Sequence, residues 1–408
     1  GLFIELKISE EESGGGFLLR PDGEGLMMIG HGRNGLINGA YEVIRRQGWR
    51  WLEPGQYGES APEKPHLNWP KEEIVFRPSF RYRGMDAFRT SNDSENHLKW
   101  LSRNRCNVCF RKAATGKLAD KLGMFSRQGG HLLQTMLQPN NLLPNGKSLW
   151  ETHPEWYGLP SDGKRRKETA IHCQLCLAHE SLFDYLGEKI LHILDAEFAD
   201  VDILDLWSFD TWGATCSCPF CVELGNGADQ TLYLLSQIRR RLDNNLRRQI
   251  WLNGILYEGT ASMAPPTRKI PENLQAAKDI LIIYPIKRCY RHSISDFDCT
   301  MNRLYEETIS AWSQCHGGLS IWIGEYYNVS RFEDLPLLFH SLIPSEMRHY
   351  HSSGMDGATF MHDFPVAWGV RALSKLQHAQ YAWDVQTDDN RFFDEYFTRK
   401  YGNYSRAM

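Results

Sequence analysis

Nowhere in the 408-residue sequence does an apolar run approach the ~20 residues that a membrane-spanning helix needs, so no helical span is expected. An excess of positive charge is missing too. The formal net charge is −4, and without a basic footprint the sequence does not read as a nucleic-acid binder. The local signatures of several enzyme classes are absent: there is no P-loop, no GxGxxG turn, no GxSxG elbow and no HExxH metal pair. The glycines at 14–16 read as a loop and not as a phosphate cradle. Cysteine is not dense: ten residues, some clustered and some scattered, do not make the disulfide framework of a small secreted scaffold. No signal peptide precedes GLFIELKISEE, which opens in mid-pattern; a trimmed start is expected, and it says little about compartment.

Aromatic residues are plentiful, at 12% with 13 Trp and 17 Tyr. Such rings fill cores, but flat apolar rings also stack on the CH-rich faces of sugars. The length allows one large core or two unequal domains, because single cores rarely grow beyond about 250–300 residues. Residues 1–75 read as a small α+β block: GEGLMMIGHGRNGLINGAYEVIRRQGWRWLEPG gives a short apolar run, a glycine-rich turn and a helix from Leu36 to about Gln47. The Pro- and Glu-rich GESAPEKPHLNWPKEE reads as a linker. From Phe76 to residue 408 strand-like and helix-like segments alternate, which predicts an α/β fold. Eight strands are expected, at 79–88, 106–112, 123–131, 201–210, 249–257, 280–289, 319–327 and 358–364. Two amphipathic helices stand out between them, SLFDYLGEKILHILDAEF and QTLYLLSQIRRRLDNNL, the second with Asp229 as its expected N-cap. Eight strands with intervening helices is the count for a (β/α)8 TIM barrel.

In such a barrel the reacting groups sit at the C-terminal ends of the strands. The expected ends carry Asp86, Arg111, His131, Asp210 and Tyr257 on strands one to five. Tyr284 and Arg288 follow on strand six, Glu325, Tyr326 and Tyr327 on strand seven, and His362 and Asp363 on strand eight. Asp210 and Glu325, on strands four and seven, are the candidate catalytic pair, since glycoside hydrolysis needs one acid for the leaving oxygen and one carboxylate to attack or to activate water. The plainer alternative is that either acid orients a neighbour or caps a helix, and Asp363 competes as a partner. His131 and His153 are candidates for substrate hydroxyls or a metal, against the commoner role of structural hydrogen-bonder. Trp207, Trp212, Trp322, Tyr326, Tyr327 and Trp368 are candidate sugar platforms, several of which must be core. Arg111 and Arg288 read equally well as salt-bridge partners within the barrel.

Cys216, Cys218 and Cys221 form CxCxxC just beyond strand four. Three thiolates are one short of a closed zinc site, and CQLC at 173–176, in another loop, could supply the fourth. A structural metal, a disulfide and free thiols all stay open here. A catalytic metal is not expected, and no cofactor is assigned.

GLINGAYEVIRRQGWRWLEPG resembles the strand–helix domain that precedes the barrel in hexosaminidases and α-glucuronidases. FRPSFRYRGM, GGH, HPEWYGLPSDGKR, QLCLAHESL, the aspartate before CxCxxC, and LSIWIGEYY resemble, in order and spacing, domain-of-unknown-function family 4838. The characterised members of that family form glycoside hydrolase family 163, endo-acting β-N-acetylglucosaminidases on complex N-glycans. The resemblance implies a bacterial glycan-degrading barrel enzyme, periplasmic, cell-surface or secreted, acting on an oligosaccharide or glycan. One departure is visible. Hexosaminidases with substrate-assisted chemistry carry an Asp-Glu pair at strand four, whereas here Asp210 is followed by Thr211. Asp210 is then either the acid opposite Glu325 or the group that orients an acetamido substituent. Rival readings are a carbohydrate-binding barrel without catalysis, and a metal-dependent hydrolase using His131, His153 and the cysteines.

Overall fold

The computed structural model describes residues 4–10, 14–63, 69–86, 94–110, 115–327, 337–361 and 368–407. Arg111, His362 and Asp363 lie outside the described residues. The chain divides into two compact units, Gly1–Ser126 with Arg288–Asn302 and Gly324–Met408, and Arg127–Lys287 with Arg303–Ile323.

Fourteen strands are described. The first six are β1 (Ile4–Ser9), β2 (Phe17–Asp22), β3 (Gly25–His31), β4 (Arg50–Trp51), β5 (Glu59–Ser60) and β6 (Ile74–Phe76). Strands β1, β3, β2 and β6 form one sheet in that order, with β1 parallel to β3 and the other pairings antiparallel. Alternate residues point to one face of a strand, and Phe17, Leu19, Leu26 and Met28 bury theirs against Val43 of helix Gly32–Arg46 and against Trp383. The Trp383 ring stacks on Phe76 at 4.7 Å and on Phe17 at 6.0 Å.

The remaining strands are β7 (Tyr82–Met85), β8 (Val108–Phe110), β9 (Phe125–Gln128), β10 (Ile203–Asp205), β11 (Trp251–Leu256), β12 (Ile280–Ile283), β13 (Ser320–Glu325) and β14 (Gly357–Phe360). They close into a parallel barrel in sequence order, so the expected (β/α)8 class is the observed one. Strands β12 and β13 are buried at every position, which is why they read in the sequence as near-continuous apolar runs.

Several expected ends need correction: strand three stops at Gln128, short of His131, and strand six at Ile283, short of Arg288. Strand four stops at Asp205, not Asp210. Beyond it the Gln174 side chain takes over the role of a neighbouring strand, its amide donating to the Phe209 carbonyl at 2.7 Å while its oxygen accepts from the Phe209 N–H at 3.1 Å. Asp229 is not the N-cap of helix Gly227–Asp243. Asn226 is, and Asp229 closes the capping box from the third helical position.

Candidate active site

In the first unit the site grows from the last residue of β13. Glu325 is 1% exposed and its carboxylate is surrounded by donors. Arg288 Nη1 reaches Oε1 at 2.6 Å, the Tyr350 hydroxyl donates to the same oxygen, and the Tyr290 hydroxyl donates to Oε2 at 3.1 Å. That is the set of partners an acceptor-only carboxylate takes, and charge-assisted contacts of this kind fix its orientation. Arg288 is shared: its Nη2 also binds Glu346, which accepts from the Tyr327 hydroxyl at 2.8 Å and from the Ile294 N–H at 3.2 Å.

One buried guanidinium therefore faces two buried carboxylates. Burial pushes the Glu346 carboxyl above its ordinary range, against the pull of Arg288 and with the help of the Glu325 charge. Burial, followed by the Glu325 charge, raises the Tyr290 and Tyr350 phenols well above theirs, which keeps both as hydroxyl donors. For Arg288 burial alone would lower the value, but Glu325 and Glu346 hold it well above the ordinary range. A cleft of about 560 Å³ borders this group, with Arg288, Tyr290, Phe339 and Leu342 among its walls. A larger cavity of about 680 Å³ is lined by Glu42, Arg50, Asp384 and Glu395 and by none of the groups that hold Glu325; the chemistry points to the smaller one.

In the second unit the buried carboxylate at the end of β10 is Asp205, bound by Arg127 Nε at 2.7 Å and by the Asn253 side-chain amide at 2.5 Å. Arg127 also reaches the Tyr284 hydroxyl at 3.3 Å and lies 5.4 Å from the Trp207 ring centre. Trp207 and Tyr284 are packed edge to face at 5.5 Å and are 2% and 0% exposed, so both rings belong to the packed wall. His131 stacks edge-on to Trp207, and its Nδ1 lies 2.8 Å from the Ser208 carbonyl. A carbonyl only accepts, so Nδ1 carries a proton.

Asp210 is exposed, five residues beyond the strand, with its N–H donating to Gln134 Oε1 at 3.1 Å. Gly259 lies close under it: a Cβ there would come within 2.4 Å of Asp210 Oδ1 and 2.3 Å of the Tyr257 ring. The N–H groups of Thr211 and Trp212 both donate to the Gly259 carbonyl, at 3.0 and 2.9 Å. Trp212 has φ +51°, a region a bulky side chain enters at a cost, and its ring is 48% exposed. Tyr257 packs against that ring edge to face at 5.3 Å, and Lys287 Nζ stands 4.2 Å from its centre. Burial and then the Asp210 charge raise the Tyr257 phenol. An exposed carboxylate, an exposed indole and an ammonium group thus share one surface, which is the equipment for holding a sugar ring by stacking and hydrogen bonds.

The other candidates are placed as follows. Asp86 directly follows β7, 2% exposed, its N–H donating to the Phe360 carbonyl at 2.8 Å. His153 lies in the long loop, not at a strand end, stacked on Trp156 at 3.8 Å and hydrogen-bonded to Glu155 at 3.0 Å. Trp322 and Tyr326 are 1% and 3% exposed, and Trp368 packs against Trp100 at 4.5 Å with Lys375 Nζ 4.0 Å from its ring. Among the six platform candidates only Trp212 offers an exposed ring. Sequence reasoning missed Tyr290, Glu346 and Tyr350. A signal existed: in helix Leu342–Ser352 the buried stripe Ile343, Glu346, Met347, Tyr350 carries a glutamate on its apolar face.

The sequence model of a family described as "Domain of unknown function (DUF4838)" matches residues 54–407. No curated protein matches the chain. Among solved structures the chain is similar to a GH138 enzyme targeting pectin rhamnogalacturonan II, with TM-score 0.59 and 11% identity over 99% of this chain and 61% of that one. It is also similar to a β-N-acetylhexosaminidase from Bacteroides fragilis, with TM-score 0.54 and 11% identity over 97% of this chain and 83% of that one. For the N-acetyl-β-hexosaminidase of Streptomyces plicatus the values are 0.54, 12%, 99% and 83%. The chain spans 61%, 48% and 50% of the length of the first three structures it resembles. At these identities the likeness is one of fold.

Proposed function

The chain belongs to the family of the domain of unknown function DUF4838, and from the geometry within that fold we propose that it is a glycoside hydrolase with Glu325 as its reactive carboxylate. The observation that carries the reading is the seating of Glu325. It ends a barrel strand, it is held by Arg288, Tyr290 and Tyr350, and two of those three holders line a cleft of about 560 Å³. A nucleophile or an ion-stabilising group needs its carboxylate fixed within a narrow range of geometry, and a donor shell supplies that fixation. Asp210 acts as acid/base or orients an acetamido group, and Trp212 is the stacking platform beside it. The substrate class is a β-linked glycan containing N-acetylhexosamine, a choice supported by the family 163 resemblance of the sequence motifs and by the hexosaminidases among the similar folds.

The test is digestion of a panel of defined glycans, β-N-acetylhexosaminides included, with the products identified by mass spectrometry. Cleavage at an N-acetylhexosamine linkage is expected. Binding of panel members without any cleavage would favour a carbohydrate-binding barrel, in which Glu325 and Arg288 are only a buried ion pair.

A further inference from the structure

The cysteines that the proposed chemistry does not use come together in the second unit. Cys176, Cys216, Cys218 and Cys221 place their four sulfurs within 4.8 Å of one another. All four residues are at most 9% exposed. Cys176 Sγ and Cys218 Sγ are 3.6 Å apart, which is contact without a bond. A zinc ion with four sulfurs at ~2.3 Å in tetrahedral array separates them by roughly 3.8 Å, so the Cys176–Cys218 pair already stands near the edge length of a closed site, and all four sulfurs lie within 4.8 Å of one another.

Backbone N–H groups are aimed at these sulfurs. Leu177 N–H donates to Cys221 Sγ at 3.2 Å, Leu159 N–H to Cys216 Sγ at 3.2 Å, and Cys221 N–H to Cys218 Sγ at 3.5 Å. Donors of this kind suit thiolates, whose charge they share. Four neutral thiols packed in a buried pocket would leave those donors facing weak acceptors. Four thiolates without a cation would repel one another.

We propose that Cys176, Cys216, Cys218 and Cys221 bind one structural zinc ion. Binding displaces the four thiol protons to solvent, leaves every sulfur at its oxidation level, and leaves no open coordination position for substrate. The ion ties the segment around Cys176 to the loop that carries Asp210 and Trp212. Contacts flanking it already join the same two segments: Ser217 N–H to the Leu159 carbonyl at 2.8 Å and Gln174 N–H to the Ala214 carbonyl at 3.1 Å. Cys173 lies nearby but outside the group of four, and Cys289, His292 and Cys299 form a separate set with only three donors. The inference is independent of the role given to Glu325.

The experiment is elemental analysis of the whole purified chain, alone and after cobalt replacement. One zinc per chain is expected, and a cobalt-loaded sample with the thiolate charge-transfer bands and strong d–d absorption of a tetrahedral sulfur site. Cys216→Ala and Cys221→Ala should lose the zinc, while Cys173→Ser and Cys299→Ser should keep it. Should the alanine variants not fold, the stoichiometry and cobalt spectrum of the unmutated chain still decide. Protein free of zinc, protein carrying iron in its place, or a disulfide among the four cysteines found by mass spectrometry of unreduced, alkylated protein would each overturn the proposal.

Discussion

At Trp212 two small energies oppose each other, and their balance tells what the residue is for. Its left-handed backbone costs about 1–2 kcal/mol for a side chain with a Cβ, while the edge-to-face contact with Tyr257 returns about 0.5–1.5 kcal/mol. Trp212→Gly is therefore expected to change folding stability by less than about 1 kcal/mol, while weakening glycan binding severalfold, as read by unfolding in urea and by KM on the same substrate. A loss of stability with unchanged KM would assign the ring to packing. Arg288 is the opposite kind of residue. Removing it leaves Glu325 and Glu346 buried without their shared cation, so Arg288→Ala should cost about 3–5 kcal/mol in denaturant unfolding. Glu346 adds a pH dependence. Its carboxyl is raised by burial, so the folded chain holds that proton more tightly than the unfolded one. The stabilisation from this group is full at low pH and falls as pH rises from about 4.3, the unfolded value, through the raised folded value. Glu346→Gln should remove that fall, seen as a flatter stability–pH curve on the alkaline side of about pH 4.3 than the unmutated chain gives.

Among the elements, helix Gly227–Asp243 shows how a cap becomes a tertiary anchor. Asn226 accepts from the N–H groups of Ala228 and Asp229. Asp229 does more, accepting from Asn226 N–H, from Thr267 N–H and hydroxyl, and from Arg268 N–H, so it binds the helix start to the loop at 267–268. Asn226→Ala is expected to cost about 1 kcal/mol as a lost cap. Asp229→Ala should cost more, about 2–3 kcal/mol, because it also strands donors of a second segment; equal costs by urea titration would reduce Asp229 to half of a capping box. The helix itself was legible from Leu232, Leu235, Ile238 and Leu242 at helical spacing, all buried. Which residue caps it was not, because Asn226 and Asp229 are both good caps and the choice depends on Thr267 and Arg268, far along the chain. The end of strand four failed for the same reason. No local pattern tells that Gln174 will satisfy the Phe209 backbone and release the chain five residues before Asp210.

For the molecule as a whole, the alternation of buried runs and amphipathic helices was enough to predict eight strands, since the period of burial is written locally in stretches such as ILII and SIWIGE. The site was only half legible. Glu325 could be named because it ends a fully buried strand that is mostly apolar, where a carboxylate has no packing reason to be. Tyr290 and Tyr350, which hold it together with Arg288, and Glu346, which binds Arg288, come from a loop and a helix whose approach to the strand end no spacing encodes. Cys176 stands 40 positions from Cys216, yet CQLC at 173–176 was legible as the source of a fourth ligand; which of its two cysteines joins the other three sulfurs is set by the fold. The central claim is that this donor shell serves a reactive carboxylate and not merely a stable core. The most direct measurement is kcat/KM of Glu325→Gln against the unmutated chain on a glycan that the chain cleaves, with unfolding followed in parallel. Gln keeps the shape and an acceptor oxygen but lacks the charge, so a fall on the order of 10³-fold is predicted with the folded state retained. Turnover within a few-fold of the unmutated chain, in a folded Glu325→Gln protein, would contradict the account.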